Sequence, residues 1–346
     1  MTRGKIVWLW SLALLVHQGV SFADRLPLLD YRKIPVSYEL RADASETGVQ
    51  KLQFTFADPG SRNNPMHAVF HLYFGAGAAA ASRPLILVFP MSEDVDYRIS
   101  KSVCSHLLDN GFRCVYMERS WPGANELPSG MKQLFSLPGL PPHSTLAARR
   151  GLDALAEAGA LRIGEKIGTV GVSLGAIDAE LLALTDERVQ AAAFILGGAN
   201  LPYILSHLGG RGVEDYRAIR DSEMKANGWT LRDFEREMVG ETRAAEPLAY
   251  LDAEKNPKLP ADRFLMINVK EDQTIPNKAS DDLYAALSRL PAGRQGSSVH
   301  PDYEVLYCRF PAMLLPSSWM HLSALLRIDY IERRITDHFK KFLPAP

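Results

Sequence analysis

Cysteine is scarce in this 346-residue chain: Cys104, Cys114 and Cys308 are all it has, too few for a disulfide framework to carry a fold of this size. With an odd number, at least one thiol stays unpaired in an exported protein. Cys104 and Cys114 are placed to pair between a helix and the next strand, but scattered, apolar-flanked cysteines are read here as buried core residues. No His/Cys cluster has metal-ligand spacing, so no metal is expected. An excess of one charge is lacking too: 39 Lys and Arg stand against 40 Asp and Glu, a net charge of -1, and the signs are interspersed. That excludes the basic footprint a nucleic-acid partner would need. No internal repeat with a period of about 20–50 residues is visible, which excludes a solenoid.

Long apolar runs are also missing. Ile6 to Val16 falls well short of the roughly 20 residues that span a bilayer. It follows Arg3 and Lys5 and leads to Ser21-Phe22-Ala23, the small-residue pattern of a signal-peptidase site. Residues 1–23 therefore read as a secretory signal and residues 24–346 as the mature chain, secreted or periplasmic and without stable membrane insertion. The alternative is an uncleaved anchor. No cysteine follows Ala23, so a lipoprotein anchor is not indicated.

What is present is a large core: 47% of residues are hydrophobic and 23% charged, as in an ordinary globular domain. Tyr38 to Asp43, Lys51 to Ala57 and Ala68 to Phe74 alternate apolar and polar residues and read as antiparallel strands. From Pro84 onward, short apolar runs alternate with helical periodicity, the pattern of a mostly parallel sheet covered on both faces. Strands are expected at Leu85 to Phe89, Phe112 to Met117, Lys166 to Val172, Ala191 to Leu196, Arg263 to Val269 and Tyr303 to Phe310. Helices are expected at Ile99 to Asn110, from a Ser144 cap to Ala158, at Gly175 to Leu184, at Ser280 to Leu290 and from about Leu322 to Phe342. Between about residues 201 and 260 the alternation gives way to charged amphipathic pieces, Val213 to Ala226 and Thr230 to Val239, which read as an inserted helical cap.

The stretch IGTVGVSLGA, residues 167–176, puts Ser173 where a strand ends and a helix begins. Gly171-Val172-Ser173-Leu174-Gly175 matches G-x-S-x-G, a turn so tight that larger residues two positions either side would collide with neighbouring backbone. The hydroxyl is then exposed at the carboxyl edge of the sheet, and the Leu174 N–H, at a helix start, faces any oxyanion formed there. A lone serine hydroxyl is a weak nucleophile and needs a base and an acid. Carboxylates follow the strand Arg263 to Val269 as Glu271 and Asp272, either of which can serve. Of nine histidines, only His321 follows the last strand and precedes the closing helix, in the loop Ser317 to His321; the order serine, acid, histidine is that of this architecture. Its bland reading is a histidine packed beside Trp319.

From about residue 84 to the C-terminus the chain resembles the α/β-hydrolases, and FLMINVKEDQTIP, residues 264–276, resembles the family segment in which an acid precedes an apolar-proline pair. The resemblance implies an α/β-hydrolase fold with Ser173 as nucleophile, His321 as general base and acid, and Asp272 as the orienting carboxylate. It implies oxyanion donors at the Leu174 N–H and at the loop after Leu85 to Phe89, at Met91. There Phe89-Pro90-Met91-Ser92 replaces the His-Gly of many members, which argues against the hormone-sensitive-lipase branch. Trp121 and Trp319 are candidates to contact substrate. Tyr203, Tyr216, Trp229 and Phe234 either line an acyl pocket or, more commonly, pack the cap down; Arg217, Arg220, Arg232 and Arg236 read as a solvated face. The expected activity is hydrolysis of a small-molecule carboxylic ester through an acyl-enzyme, calling for no metal or organic cofactor. A peptidase or thioesterase with the same triad is one alternative, and a non-catalytic binding protein of the same fold is another.

Overall fold

The structure is a computed structural model, and it describes residues 26–42, 49–57, 65–75, 81–92, 94–118, 139–210, 213–253, 259–291, 300–307 and 320–343. The expected signal, residues 1–23, lies outside them, as do Trp121, Trp319 and Cys308.

Among the described residues, nine strands form one sheet in the order β1-β2-β3-β5-β4-β6-β7-β8-β9. The leading strands β1 (Ser37–Ala42), β2 (Gln50–Ala57) and β3 (Pro65–Tyr73) run antiparallel to one another, and β3 pairs antiparallel with β5 (Arg113–Met117). From β5 the sheet continues in parallel through β4 (Leu85–Phe89), β6 (Ile167–Val172), β7 (Val189–Ile195), β8 (Phe264–Val269) and β9 (Asp302–Leu306). β4, β5, β6 and β8 are buried at every residue, which is why they read as continuous apolar runs.

Because successive strand residues point to opposite faces, each strand feeds two cores. On one face Leu85, Leu87 and Phe89 of β4 and Phe264 and Met266 of β8 pack under α2 (Leu140–Glu157), α3 (Leu174–Thr185) and α8 (Asn277–Leu287). On the other, Ile86, Val88, Leu265 and Ile267 meet α1 (Arg98–Asp109) and α10 (Ile328–Phe342). Ile331, Ile335, Phe339 and Phe342 form the buried stripe of α10, spaced as one helical face requires.

Between β7 and β8 lie α4 (Leu201–His207), α5 (Glu214–Asn227), α6 (Leu231–Thr242) and α7 (Pro247–Leu251). α4, α5 and α6 share a small core, in which Phe234, Leu205 and Met238 are buried with Tyr216 and Trp229 packed against them, while Tyr250 of α7 joins the main core. Thr230 and Asp233 close a reciprocal capping box at the start of α6. The aromatic residues here hold the helices together. Arg220 departs from the expected solvated face: it is buried and donates from Nη1 to the Ser206 and Leu208 carbonyls at 2.7 and 3.1 Å, ends of α4 that would otherwise lack a donor.

Several expected boundaries move. Ser144 is not a cap but sits inside α2, which begins at Leu140 because Pro141 and Pro142 fit a first turn whose N–H groups have no helical acceptor. α8 begins at Asn277, directly after Pro276. β9 ends at Leu306, and residues 308–310 of the expected strand lie outside the described set. The expectation of unpaired Cys104 and Cys114 is corrected: α1 lies flat on β5, bringing their Cα atoms to 5.2 Å, and the two are joined in a disulfide. Among the described residues, no helix is long and apolar enough to cross a membrane.

Candidate active site

Parallel strands in register end at a common edge, and that is where the singled-out residues meet. Phe89 pairs with Gly171, Val172 with Ile195 and Val269 with Leu306, so the segments following β4, β6 and β8 leave the sheet side by side. Crevices at the carboxyl ends of parallel strands are where open α/β sheets bind ligands.

Ser173 takes φ 57° and ψ −121° between β6 and α3, a conformation costly for a residue with a Cβ. Its N–H is held by the Ile195 carbonyl at 2.8 Å, and its carbonyl accepts from Ala176 N–H at 2.8 Å. The flanking glycines are there for space. A Cβ on Gly171 would lie 1.9 Å from the Gly175 carbonyl oxygen, and one on Gly175 would lie 2.4 and 2.5 Å from the Phe89 and Pro90 carbonyl oxygens. The second contact also brings the loop after β4 against the turn that carries Ser173.

Asp272 follows β8 in a turn that commits its two oxygens differently. Oδ1 accepts the Thr274 and Ile275 N–H groups at 2.8 and 3.1 Å, an arrangement typical of aspartate at turns. Oδ2 is left to face His321 Nδ1 at 2.7 Å. The other carboxylate, Glu271, is exposed, with its backbone at φ 62° and its N–H held by Asn277 Oδ1 at 2.8 Å. Asn277 in turn donates to the Val269 carbonyl at 2.7 Å, so the turn is pinned at both ends.

His321 lies on the short helical turn α9 (Met320–Ser323) rather than in an open loop. Its Nε2 is 2.9 Å from Ser173 Oγ. A carboxylate can only accept, so the Nδ1–H donates to Asp272, and Nε2 is left as acceptor for the serine hydroxyl. Ser173, Asp272 and His321 are each about 5% exposed, at 4%, 5% and 6%, which shields their hydrogen bonds from water. Two other histidines that follow Ser173 have engagements of their own: His338 is buried in α10 with Nε2 at 3.0 Å from the Arg263 carbonyl, and burial holds it down at about 4; His207 stacks on Tyr203.

Leu174 is the first residue of α3, so its N–H has no acceptor within the helix. Met91 is buried, and its carbonyl accepts from Asp94 N–H at 3.3 Å. Asp94 was not singled out in the sequence, yet it organises this loop. Its carboxylate accepts the Ile99 N–H at 2.9 Å, the Ser100 N–H at 3.0 Å and the Ser100 hydroxyl at 2.6 Å. An aspartate a few residues before an amphipathic run is a helix-start signal that would have found it. Next to it, Asp96 and Tyr97 are both left-handed, and the Tyr97 ring stacks on Tyr116, which stacks on His71. His71 Nε2 meets Glu118 Oε1 at 2.6 Å, and that hydrogen bond holds the Glu118 carboxyl below its ordinary range. Among the described residues, no group of three or more His, Cys, Asp or Glu side chains is arranged to hold a metal ion.

No family model and no curated protein matches the sequence. Solved structures do. Acetyl xylan esterase 1 from Thermoanaerobacterium sp. is 13% identical over 82% of this chain and 83% of its own, with a TM-score of 0.51. An acetyl xylan esterase from Paenibacillus sp. R4 is 14% identical over 89% and 93%, at 0.50. The Pyrococcus horikoshii acylaminoacyl peptidase is 15% identical, covering 90% of this chain and 42% of its own, at 0.54. Identities this low speak to architecture alone, and with the sheet order and the strand-turn-helix at Ser173 they make the chain an α/β-hydrolase in fold.

Proposed function

We propose that this protein is a serine hydrolase acting on carboxylic esters through Ser173, His321 and Asp272. The observation that carries the reading is the hydrogen-bonded line from Ser173 Oγ to His321 Nε2 at 2.9 Å and from His321 Nδ1 to Asp272 Oδ2 at 2.7 Å. Nucleophile, base and orienting group within hydrogen-bond reach are what acyl transfer by a hydroxyl needs.

In this mechanism Ser173 Oγ attacks the ester carbonyl carbon as His321 Nε2 takes its proton. The carbonyl π electrons move to oxygen, and the Leu174 and Met91 N–H groups stabilise that oxyanion, each worth roughly 3 kcal/mol. His321, now an imidazolium stabilised by Asp272, passes the proton to the departing alkoxide as the C–O bond breaks, leaving an acyl-Ser173 ester. Water, deprotonated by His321, then repeats the sequence and releases the acid. These steps call for no metal or organic cofactor. The substrate is a small-molecule ester.

We also infer that the chain is exported after loss of residues 1–23. The disulfide between Cys104 and Cys114 supports an oxidising destination.

Acyl transfer by the same groups serves esters, thioesters and peptides, and the names of the fold's relatives include both esterases and a peptidase. The test therefore gives the mature protein p-nitrophenyl esters of increasing acyl length, an acyl thioester and an acylated amino-acid anilide, alongside Ser173→Ala and His321→Ala. The account expects ester turnover by wild type and loss of at least about 10³-fold in each folded variant. Turnover that survives Ser173→Ala would sink it; turnover of the anilide alone would move the reading to a peptidase.

A further inference from the structure

Among the described residues the sheet has an open end: β1 is its first strand, paired there on one side only, and all six of its residues are exposed. Tyr38 and Leu40 are each 40% exposed and lie on one face, opposite Phe54 and Leu52 of β2, both buried. The apolar surface of the inner strands thus runs out to the edge and stops in solvent. Glu39 and Arg41 occupy the other face, and neither has an ion pair among the described residues. Natural proteins often blunt such an edge with charged side chains, proline or a bulge. β1 has neither proline nor a bulge, and its two charges, Glu39 and Arg41, are of opposite sign.

We propose that β1 is a homodimerisation edge, pairing antiparallel with β1 of a second copy to make a continuous sheet of both. The sequence of the strand, Ser-Tyr-Glu-Leu-Arg-Ala, selects both the partner and the register. A two-fold axis at Leu40 sets Leu40 against Leu40 of the other copy, Tyr38 against Ala42, and Glu39 against Arg41, twice by symmetry. Sliding the pairing by two residues either way sets Glu39 against Glu39 or Arg41 against Arg41, like charges face to face. Only the centred register joins the apolar residues on one face and opposite charges on the other. A six-residue strand contact is small, about 20 Å long, so the dimer is a weak one, with a dissociation constant in the micromolar range.

Sedimentation of the mature protein up to about 200 µM tests this, with ester hydrolysis or circular dichroism as the folding check, since these side chains are exposed and far in sequence from Ser173. Wild type is expected to dimerise with concentration. Glu39→Arg and Arg41→Glu are each expected to weaken the dimer by about tenfold or more. Mixing the two single variants is expected to restore association as a heterodimer, and Glu39→Arg/Arg41→Glu together to restore the homodimer. A wild type that stays monomeric, a dimer indifferent to either charge reversal, or a mixture no more associated than its components would each overturn the proposal.

Discussion

At Ser173 a left-handed backbone is held by the strand beside it, through the Ile195 carbonyl, and by glycines that leave no room for a Cβ. Gly171→Ala is therefore expected to cost about 3 kcal/mol or more, because the atom it would strike is backbone that cannot rotate away; chemical denaturation measures this. Asp272→Asn keeps the shape but removes the charge that holds the imidazole tautomer and stabilises the imidazolium, and a fall in kcat of about 10³–10⁴-fold with KM little changed is expected. An equal rise in KM with kcat intact would show that Asp272 only shapes the pocket. That Ser173, Asp272 and His321 meet was readable because their signals are local: a five-residue motif, a carboxylate after a strand, and a histidine in the right order. Its place ahead of Ile275-Pro276 favours Asp272 over Glu271, and the turn supplies the physical reason: Oδ1 is taken by Thr274 and Ile275 N–H groups and Oδ2 is left toward His321. Asp94 went unread because its partners are mostly backbone N–H groups, and its place before an amphipathic run is the one local signal that points to it.

On the scale of elements, the helical insertion is tied down by one carboxylate. Glu246 accepts the Asn200 and Leu201 N–H groups at 2.9 and 2.6 Å and the Leu248 N–H at 3.2 Å, joining the start of α4 to the start of α7. Beneath it Glu180, on the helix that follows Ser173, is fully buried. Burial and the nearby Glu246 and Asp178 carboxylates push it well above the ordinary carboxyl range, and burial raises Glu246 as well. For an acid whose folded pKa is raised, the unfolded chain releases its proton first, so stability is greatest at low pH and declines as pH climbs above about 4.5 toward the folded value. Glu180→Gln is expected to flatten that decline in melting temperature; an unchanged slope would show that Glu180 is already ionised. His338 acts with the opposite slope: held at about 4, it stays neutral while the unfolded chain takes up a proton, so it lowers stability as pH falls from about 6.5 toward 4. Strands and helices themselves were legible from periodicity, with ends that shifted where proline set them, as at Pro141 and Pro276.

For the molecule as a whole, three layers and one sheet edge at which the strand ends gather follow from alternating apolar runs, and that architecture was readable. The Cys104–Cys114 link was visible only as an option, because pairing depends on α1 lying against β5, a tertiary distance that composition does not carry. Closing a loop of about ten residues, it is expected to contribute about 2–3 kcal/mol, seen as a lower melting temperature in reductant. No change on full reduction would show that α1 docks without it. The central claim is that this fold presents Ser173 as an activated nucleophile. The most direct measurement is reaction of the mature protein with a fluorophosphonate, followed by mass mapping of the adduct. The account predicts one adduct, on Ser173, forming at least about 10²-fold more slowly in His321→Ala; no adduct, or one on another residue, would contradict it.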